Sequence, residues 1–460
     1  MLNKTKSKLA IHGGPPVRTA PYPIHSTMFD DAEEKQLIET IRKGHLSGFS
    51  ARPGDRFLGG EKVIELEEHF AKKFNVKYAV STNSATSSLH SAISAIGIRE
   101  GDEVITSPFT MSATGSSIVM QNAVPVFADI EDRTFGLDPA SVEKLISKKT
   151  KAILTVNILG HPSRLKELKE IANKYNLFLI EDNAQSPMAK NHGKLAGTVG
   201  DIGILSLNYH KCIQTGEGGI ALTNDPNLAE RLRLIRNHGE VVVGKINKGH
   251  MTNQLGWNYR LSELQAAVGI PQIKKLDYLT KIRSDLASML IKELEPFNFL
   301  TPPVIEPESS HVFYLFAMRF HEHDAGFSRK AFVDAMKAEG IALNEGYVLP
   351  MYLEPMYQNP HLTPQLNVAL SSNFLKDDLA EHYRNNRSKD NYEKCPYEGH
   401  IKENYSNQFY SPGICPIAEK MHESEICITD ICKYPNSEKE ILEFVEAVKK
   451  VSDGLLSLNA

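Results

Sequence analysis

Lys211 stands in "SLNYHKCIQTGEGG", between His210 and Cys212 and just ahead of three glycines in four residues. Most lysines are simply solvated, but this one follows an apolar, strand-like run. The glycines after it let the backbone turn sharply or approach a ligand. About 30 residues earlier, "FLIEDNAQS" puts Asp182 at the end of another apolar run, with Gln185 one turn on. A carboxylate there either caps the next helix or pairs with a cationic ring nitrogen. Further upstream, "STNSATSSLHSAI" starts a helix near Ser84 or Thr86, marked by Leu89, Ile93 and Ile96. Its first N–H groups and partial positive charge suit a phosphate, and the plainer reading is that the serines and threonine only cap it.

Taken together, the three stretches present an anion-binding helix start, an acid at a strand end and a lysine at a later strand end. Pyridoxal phosphate needs all three: a cradle for its phosphate, a carboxylate that keeps its pyridine nitrogen protonated, and an amine for its aldehyde. Neither a G-x-x-x-x-G-K-[ST] loop nor an early G-x-G-x-x-G after a strand occurs, so NTP hydrolysis and NAD-type redox chemistry lose their main support.

The elements that must position these residues are legible as apolar runs. "GDEVITS", "AVPVFADI", "KAILTVNIL", "NLFLIEDNA", "DIGILSLN" and "GIALTND" are bounded by Gly, Asn, Asp or Pro and alternate with amphipathic stretches. In "SRLKELKEIANKYN", helical spacing places Leu165, Leu168, Ala172 and Tyr175 on one face. Runs this apolar predict an α/β fold with a mostly parallel sheet covered on both faces, its ligands beyond the carboxyl ends of the strands.

Ahead of this region, residues 1–50 read as an arm with a helix carrying Leu37, Ile38 and Ile41. Residues 51–275 read as the large cofactor-binding domain. It ends on a long helical stretch, "LSELQAAVGIPQIKKLDYLTKIRSDLASMLIKEL", that should break at Pro271. Residues 276–460 read as a smaller α+β domain, with "HVFYLFAMRF" a strand, "SRKAFVDAMKAEG" a helix, and a polar insertion at about 359–411.

Composition limits the partners. With 52 basic and 56 acidic residues in 460, the formal charge is −4, which gives no global pull toward nucleic acid or anionic membrane. Without a signal-like h-region or a long apolar run, a cytoplasmic protein is expected. Five cysteines without a C-x-x-C argue for reduced thiols. Cys395, Cys415, Cys427 and Cys432, with His400 and His422, match no zinc spacing, so no metal is expected.

"GGPPVR", "STNSATSSLHSA", "PVFADI", "IEDNAQS", "SLNYHKCIQTGEGG", "LIRNHGE" and "GWNYRLSELQAAVG", in this order, resemble the DegT/StrS type of PLP-dependent sugar aminotransferase. The resemblance is close over about residues 8–275 and looser beyond, through "HVFYLFAMRF" and "CPIAEK". It implies fold type I, the aspartate aminotransferase fold. Lys211 would join the cofactor's aldehyde and Asp182 would pair with its ring nitrogen, with Gln185 near the phenolic oxygen or ring. Ser84, Ala85, Thr86 and Ser206 would hold the phosphate, and His210 would line the site. Asn258 or Arg260 would reach the phosphate of a neighbouring subunit in a homodimer. Many relatives have a stacking aromatic residue where this chain has Met111, and nearby Phe109 is the alternative.

The resemblance also implies transfer of an amino group from L-glutamate or L-glutamine to a nucleotide-linked keto-deoxysugar, as in lipopolysaccharide or antibiotic sugar pathways. Cyclitol ketones such as scyllo-inosose are the alternative acceptors. A dehydratase relative would carry a histidine in place of Lys211. A non-catalytic sensor of PLP or sugar nucleotide would need only the phosphate cradle, whereas acid and lysine are both present here.

Overall fold

The computed structural model describes residues 8–23, 28–239, 242, 255–358 and 410–459. Nearly all of the predicted polar insertion, with Cys395 and His400, lies outside them.

Seven strands form the main sheet: β1 (Tyr78–Thr82), β2 (Glu103–Thr106), β3 (Val124–Phe127), β4 (Thr150–Val156), β5 (Phe178–Asp182), β8 (Ile202–Ser206) and β9 (Gly219–Thr223). The short pair β6 (Lys190–Asn191) and β7 (Lys194–Leu195) lies between β5 and β8 in sequence. In space the order is β1-β9-β8-β5-β4-β2-β3. Only β9 runs against its neighbours, being antiparallel to both β1 and β8, so the sheet is mostly parallel as expected. All six predicted strands are present. β1 escaped the sequence reading because its run is short and ends in Ser81 and Thr82, both fully buried.

Helices cover both faces of this sheet. α1 (Asp31–Lys43) starts at a capping box on Asp30, and α2 (Glu61–Phe74) packs Val63, Leu66, Phe70 and Phe74 inward. α3 (Ala85–Ala95) follows β1 directly, α4 (Ser112–Val119) follows β2, and α5 (Pro139–Leu145) precedes β4. In α6 (Leu165–Tyr175), Leu165, Leu168 and Ala172 are buried as the spacing predicts. Tyr175 is instead 39% exposed and donates its hydroxyl to Glu143 at 3.0 Å, because the helix end projects past the sheet. On α1, Ile38 and Ile41 are likewise exposed, although their spacing suggested a buried stripe.

After α7 (Pro226–Arg236), α8 runs unbroken from Glu263 to Leu294. Pro271 lies inside it, against the expected break, and the predicted boundary at 275 falls within the same helix. A proline removes one intrahelical hydrogen bond and distorts the turn before it. Here Pro271 and its neighbours Ala266, Ala267, Ile270 and Ile273 are all buried, so packing holds both halves in line. Beyond it, β10 (Leu300–Thr301), β12 (Phe316–Phe320), β13 (Asn344–Glu345) and β14 (Ile426–Thr429) form an antiparallel sheet in the order β10-β12-β14-β13. β11 (Ser309–Ser310) pairs with β6. The predicted helix is present as Arg329–Ala338, capped by Ser328, and chain reversal follows at Gly340, whose φ is +85°.

Candidate active site

The parallel strands end along one edge, and the chemistry-bearing residues collect there. Ser84, Asp182, Ser206 and Lys211 follow or terminate β1, β5 and β8, which are separated in the sheet only by β9.

At the start of α3, Ser84 has extended dihedrals and its hydroxyl accepts the Ser87 amide at 3.1 Å. The Ala85 and Thr86 amides belong to the first turn, where no intrahelical acceptor exists, so they are free for an anion. Gly219 makes this approach possible. It pairs with Thr82 on one side and Ser206 on the other. A Cβ at Gly219 would lie 2.5 Å from the Ser84 carbonyl and 2.6 Å from the Ala85 nitrogen. The absent side chain lets β9 press against the helix start and brings Ser206 beside it.

Asp182 closes β5 in register with Val156 and Ile204. Its carboxylate accepts from the Thr114 hydroxyl at 2.9 Å and from the Ala184 amide at 3.2 Å. It is 5% exposed, and burial raises its pKa above the usual carboxylate value, against the lowering effect of those bonds and of Lys211. Neighbouring Glu181 projects to the other side, as strand alternation requires. Its fully buried carboxylate accepts amides of Gly197, Val199 and Gly200 and holds that loop.

Lys211 follows a turn in which its amide bonds the Asn208 carbonyl. Its Nζ lies 3.4 Å from the Tyr314 hydroxyl and 4.5 Å from that ring's centroid. Burial, aided by Arg283 and opposed by Asp182, lowers its pKa to about 8. Such a lysine reaches its free-amine form at far lower pH than an ordinary one, as a nucleophile or base requires.

Gln185 spans the site with both ends engaged. Its Oε1 accepts the Leu159 amide and its Nε2 donates to the Tyr347 hydroxyl, each at 2.8 Å. One N–H of that amide group remains for a ligand. His210 is exposed, with its ring 5.0 Å from Tyr209 and 6.4 Å from Tyr314. Phe109 is enclosed completely, packed on Phe135 and Tyr347. It offers no free face, which removes it as a stacking partner. Met111 caps α4 three residues before Thr114 and is 60% exposed, leaving its thioether available.

Asn258 and Arg260 lie by the α3 entry. The Arg260 Nε donates to Asn258 Oδ1 at 2.8 Å, and the backbone carbonyl of the intervening Tyr259 accepts the Asn83 amide at 2.9 Å. Sequence reasoning missed Thr114, Tyr314, Tyr347, Arg283 and Gly219's contact with α3. Gly219, Tyr314 and Arg283 fall inside stretches already quoted, namely the glycine loop, "HVFYLFAMRF" and the long helical stretch.

These residues fit pyridoxal phosphate. Asp182 is a buried carboxylate which, among the described residues, has no cation within ion-pair distance, and a protonated ring nitrogen would supply one. Free amides stand at a helix start for a phosphate, and Lys211 presents an amine. Among the described residues, no group of His, Cys, Asp and Glu is arranged to hold a metal ion, and Cys212, Cys415, Cys427 and Cys432 are buried free thiols. No helix among them is long and apolar enough to cross a membrane.

Comparison with known proteins gives the same picture. The chain is 35% identical to a GDP-perosamine synthase of Caulobacter vibrioides over 67% of this chain and 82% of that protein. It is also 35% identical, over 73% of its length and 79% of the other's, to a Streptoalloteichus tenebrarius protein named for L-glutamine:3-amino-2,3-dideoxy-scyllo-inosose aminotransferase activity. Among solved structures, S. venezuelae DesV, crystallised in complex with a ketimine intermediate, superposes with a TM-score of 0.70 at 26% identity, covering 92% of this chain and 94% of that one. With residues 50–395 matching the family model, the chain belongs to the DegT/DnrJ/EryC1/StrS aminotransferase family and is a PLP-dependent aminotransferase.

Proposed function

We propose that the protein transfers the amino group of L-glutamate or L-glutamine to the keto group of a nucleotide-linked deoxysugar, for polysaccharide or secondary-metabolite sugar synthesis. The observation that carries this reading is the convergence of Asp182 and Lys211 at one sheet edge, beside the free amides at the start of α3. Bound there, pyridoxal phosphate supplies an aldehyde that takes up amines and a ring that withdraws electrons. Ala85, Thr86, Ser84 and Ser206 hold the phosphate, and Asp182 keeps a proton on the ring nitrogen. Met111 covers the ring, Gln185 and His210 border it, and Thr114 orients the Asp182 carboxylate.

The Lys211 amine removes the α-proton of the amino-acid donor. In the second half-reaction it delivers a proton to what was the acceptor's carbonyl carbon. In a homodimer, Asn258 or Arg260 reaches the phosphate bound by the partner subunit. The exposed position of Asn258 is consistent with that reach.

A nucleotide-sugar acceptor is supported by the 35% identity to the GDP-perosamine synthase. A cyclitol ketone is the second reading, supported by equal identity to the scyllo-inosose-type relative. The test is spectroscopic. Protein loaded with PLP should lose its yellow colour on addition of L-glutamate or L-glutamine as the pyridoxamine form accumulates. GDP- and TDP-linked keto-deoxysugars and scyllo-inosose are then added in turn, and the true acceptor restores the colour. Uptake of PLP with no half-reaction toward any donor would leave a sensor in place of an enzyme.

A further inference from the structure

Arg283 lies in the interior face of α8 at 3% exposure, and among the described residues no carboxylate comes within ion-pair distance of it. A buried cation without an ionic partner is costly unless other contacts compensate. Its Nη1 donates to two successive carbonyls, those of Phe313 at 3.2 Å and Tyr314 at 3.1 Å. Both belong to the link between β11 and β12.

That link has an unfavourable shape. Phe313 has a φ of +49°, a left-handed conformation that is strained for a bulky residue. The loop after β4 also grips the link. Gly160 accepts the Val312 amide at 2.8 Å, and Leu159 accepts that of Leu315 at 3.1 Å. A Cβ at Gly160 would lie 2.6 Å from the nitrogens of both Phe313 and Tyr314, so the two loops meet backbone to backbone. The product of this arrangement is the Tyr314 ring set against the Lys211 amine.

We infer that Arg283 is a positioning residue for Lys211, fixing Tyr314 against the amine through two backbone carbonyls and favouring the amine's uncharged form through its own unpaired charge. The inference rests on the reading of Lys211 as the reacting amine. The groups facing Lys211 are Asp182 from β5, Arg283 from α8, Tyr314 from the β11–β12 link, and His210 beside it in the chain. Burial is the largest influence on the amine, Arg283 pushes in the same direction, and Asp182 opposes both. At pH 8 about half of such amines are free, against roughly 0.3% of ordinary lysines.

The test measures Lys211 in the full-length apoprotein by competitive acetylation across pH, read by mass spectrometry. Arg283→Gln keeps an N–H donor but removes the charge, and should move the Lys211 midpoint upward by at least half a pH unit. Arg283→Lys keeps the charge and should leave the midpoint within about 0.3 of wild type. An unmoved midpoint in folded Arg283→Gln, or an upward shift in Arg283→Lys as large as the one sought, would overturn the inference. If Arg283→Gln does not fold, Arg283→Met, which likewise removes the charge, takes its place with the same expected upward shift. Borohydride reduction of the wild-type holoenzyme separates the two levels. Cofactor fixed to Lys211 with no charge-dependent shift rejects the role of Arg283, whereas cofactor fixed elsewhere rejects the reading of Lys211 itself.

Discussion

Replacing Lys211 by methionine should abolish transamination and yet make the cofactor-free protein more stable at neutral pH. The amine lies against Tyr314 within the charge fields of Asp182 and Arg283, and burial holds its pKa at about 8 against an ordinary 10.5. At about 1.4 kcal/mol per pH unit, that difference corresponds to roughly 3 kcal/mol of destabilisation when the lysine is charged in both states. Between pH 8 and 10.5 the unfolded chain binds a proton here that the folded chain does not, so wild-type stability from this group rises with pH. Below pH 8 both forms are protonated and the full cost is present. Methionine is similar in length and carries no charge. Urea unfolding of the two apoproteins should therefore show Lys211→Met ahead by about 3 kcal/mol at pH 7, with the gap closing toward pH 10.5. A variant that is less stable at pH 7, or a gap that does not change with pH, would refute the picture of an enclosed, destabilised amine.

Asp182→Asn should lower the Lys211 midpoint below about 8, since the Asp182 charge is what opposes its fall; the same acetylation profile reads it, and catalysis should drop by about 10²-fold or more. Gly219→Ala would force a methyl against the Ser84 carbonyl and Ala85 amide, so PLP affinity by fluorescence titration should weaken at least tenfold, with about 1–3 kcal/mol lost in stability. Gly115→Ala in α4 would collide with the Tyr357 hydroxyl and Met351 sulfur, and should cost about 1–3 kcal/mol. Combining it with Tyr357→Phe should recover part of that loss, and strict additivity in thermal melts would contradict the assigned contact.

What the sequence disclosed about the site was what local pattern encodes. Asp182 and Lys211 stand out because an apolar run with a polar residue at its end implies a strand edge, and Ser84 because a small polar residue ahead of helical spacing implies a cap. The groups that tune them lie far away in the chain. Thr114 reaches Asp182 across 68 positions, and Tyr347 reaches Gln185 across 162. Tyr314 lay in a segment whose apolar texture read wholly as strand, yet the strand begins at Phe316 and Tyr314 sits in the strained turn before it. Periodicity also overstated burial at the ends of elements, at Tyr175 and Ile41. Proline chemistry overstated disruption at Pro271, where packing against α2 and α1 outweighs one missing hydrogen bond. Phe109 was a reasonable stacking candidate by type and position, but core packing had already claimed both of its faces.

The central claim is that the Lys211 amine is the group that meets the cofactor. Borohydride reduction of the PLP-loaded protein, followed by peptide mapping, tests it directly. Lys211 should carry the pyridoxyl mass, with stoichiometry near one per chain. Label on another lysine, or free cofactor after reduction of a fully loaded protein, would contradict the account.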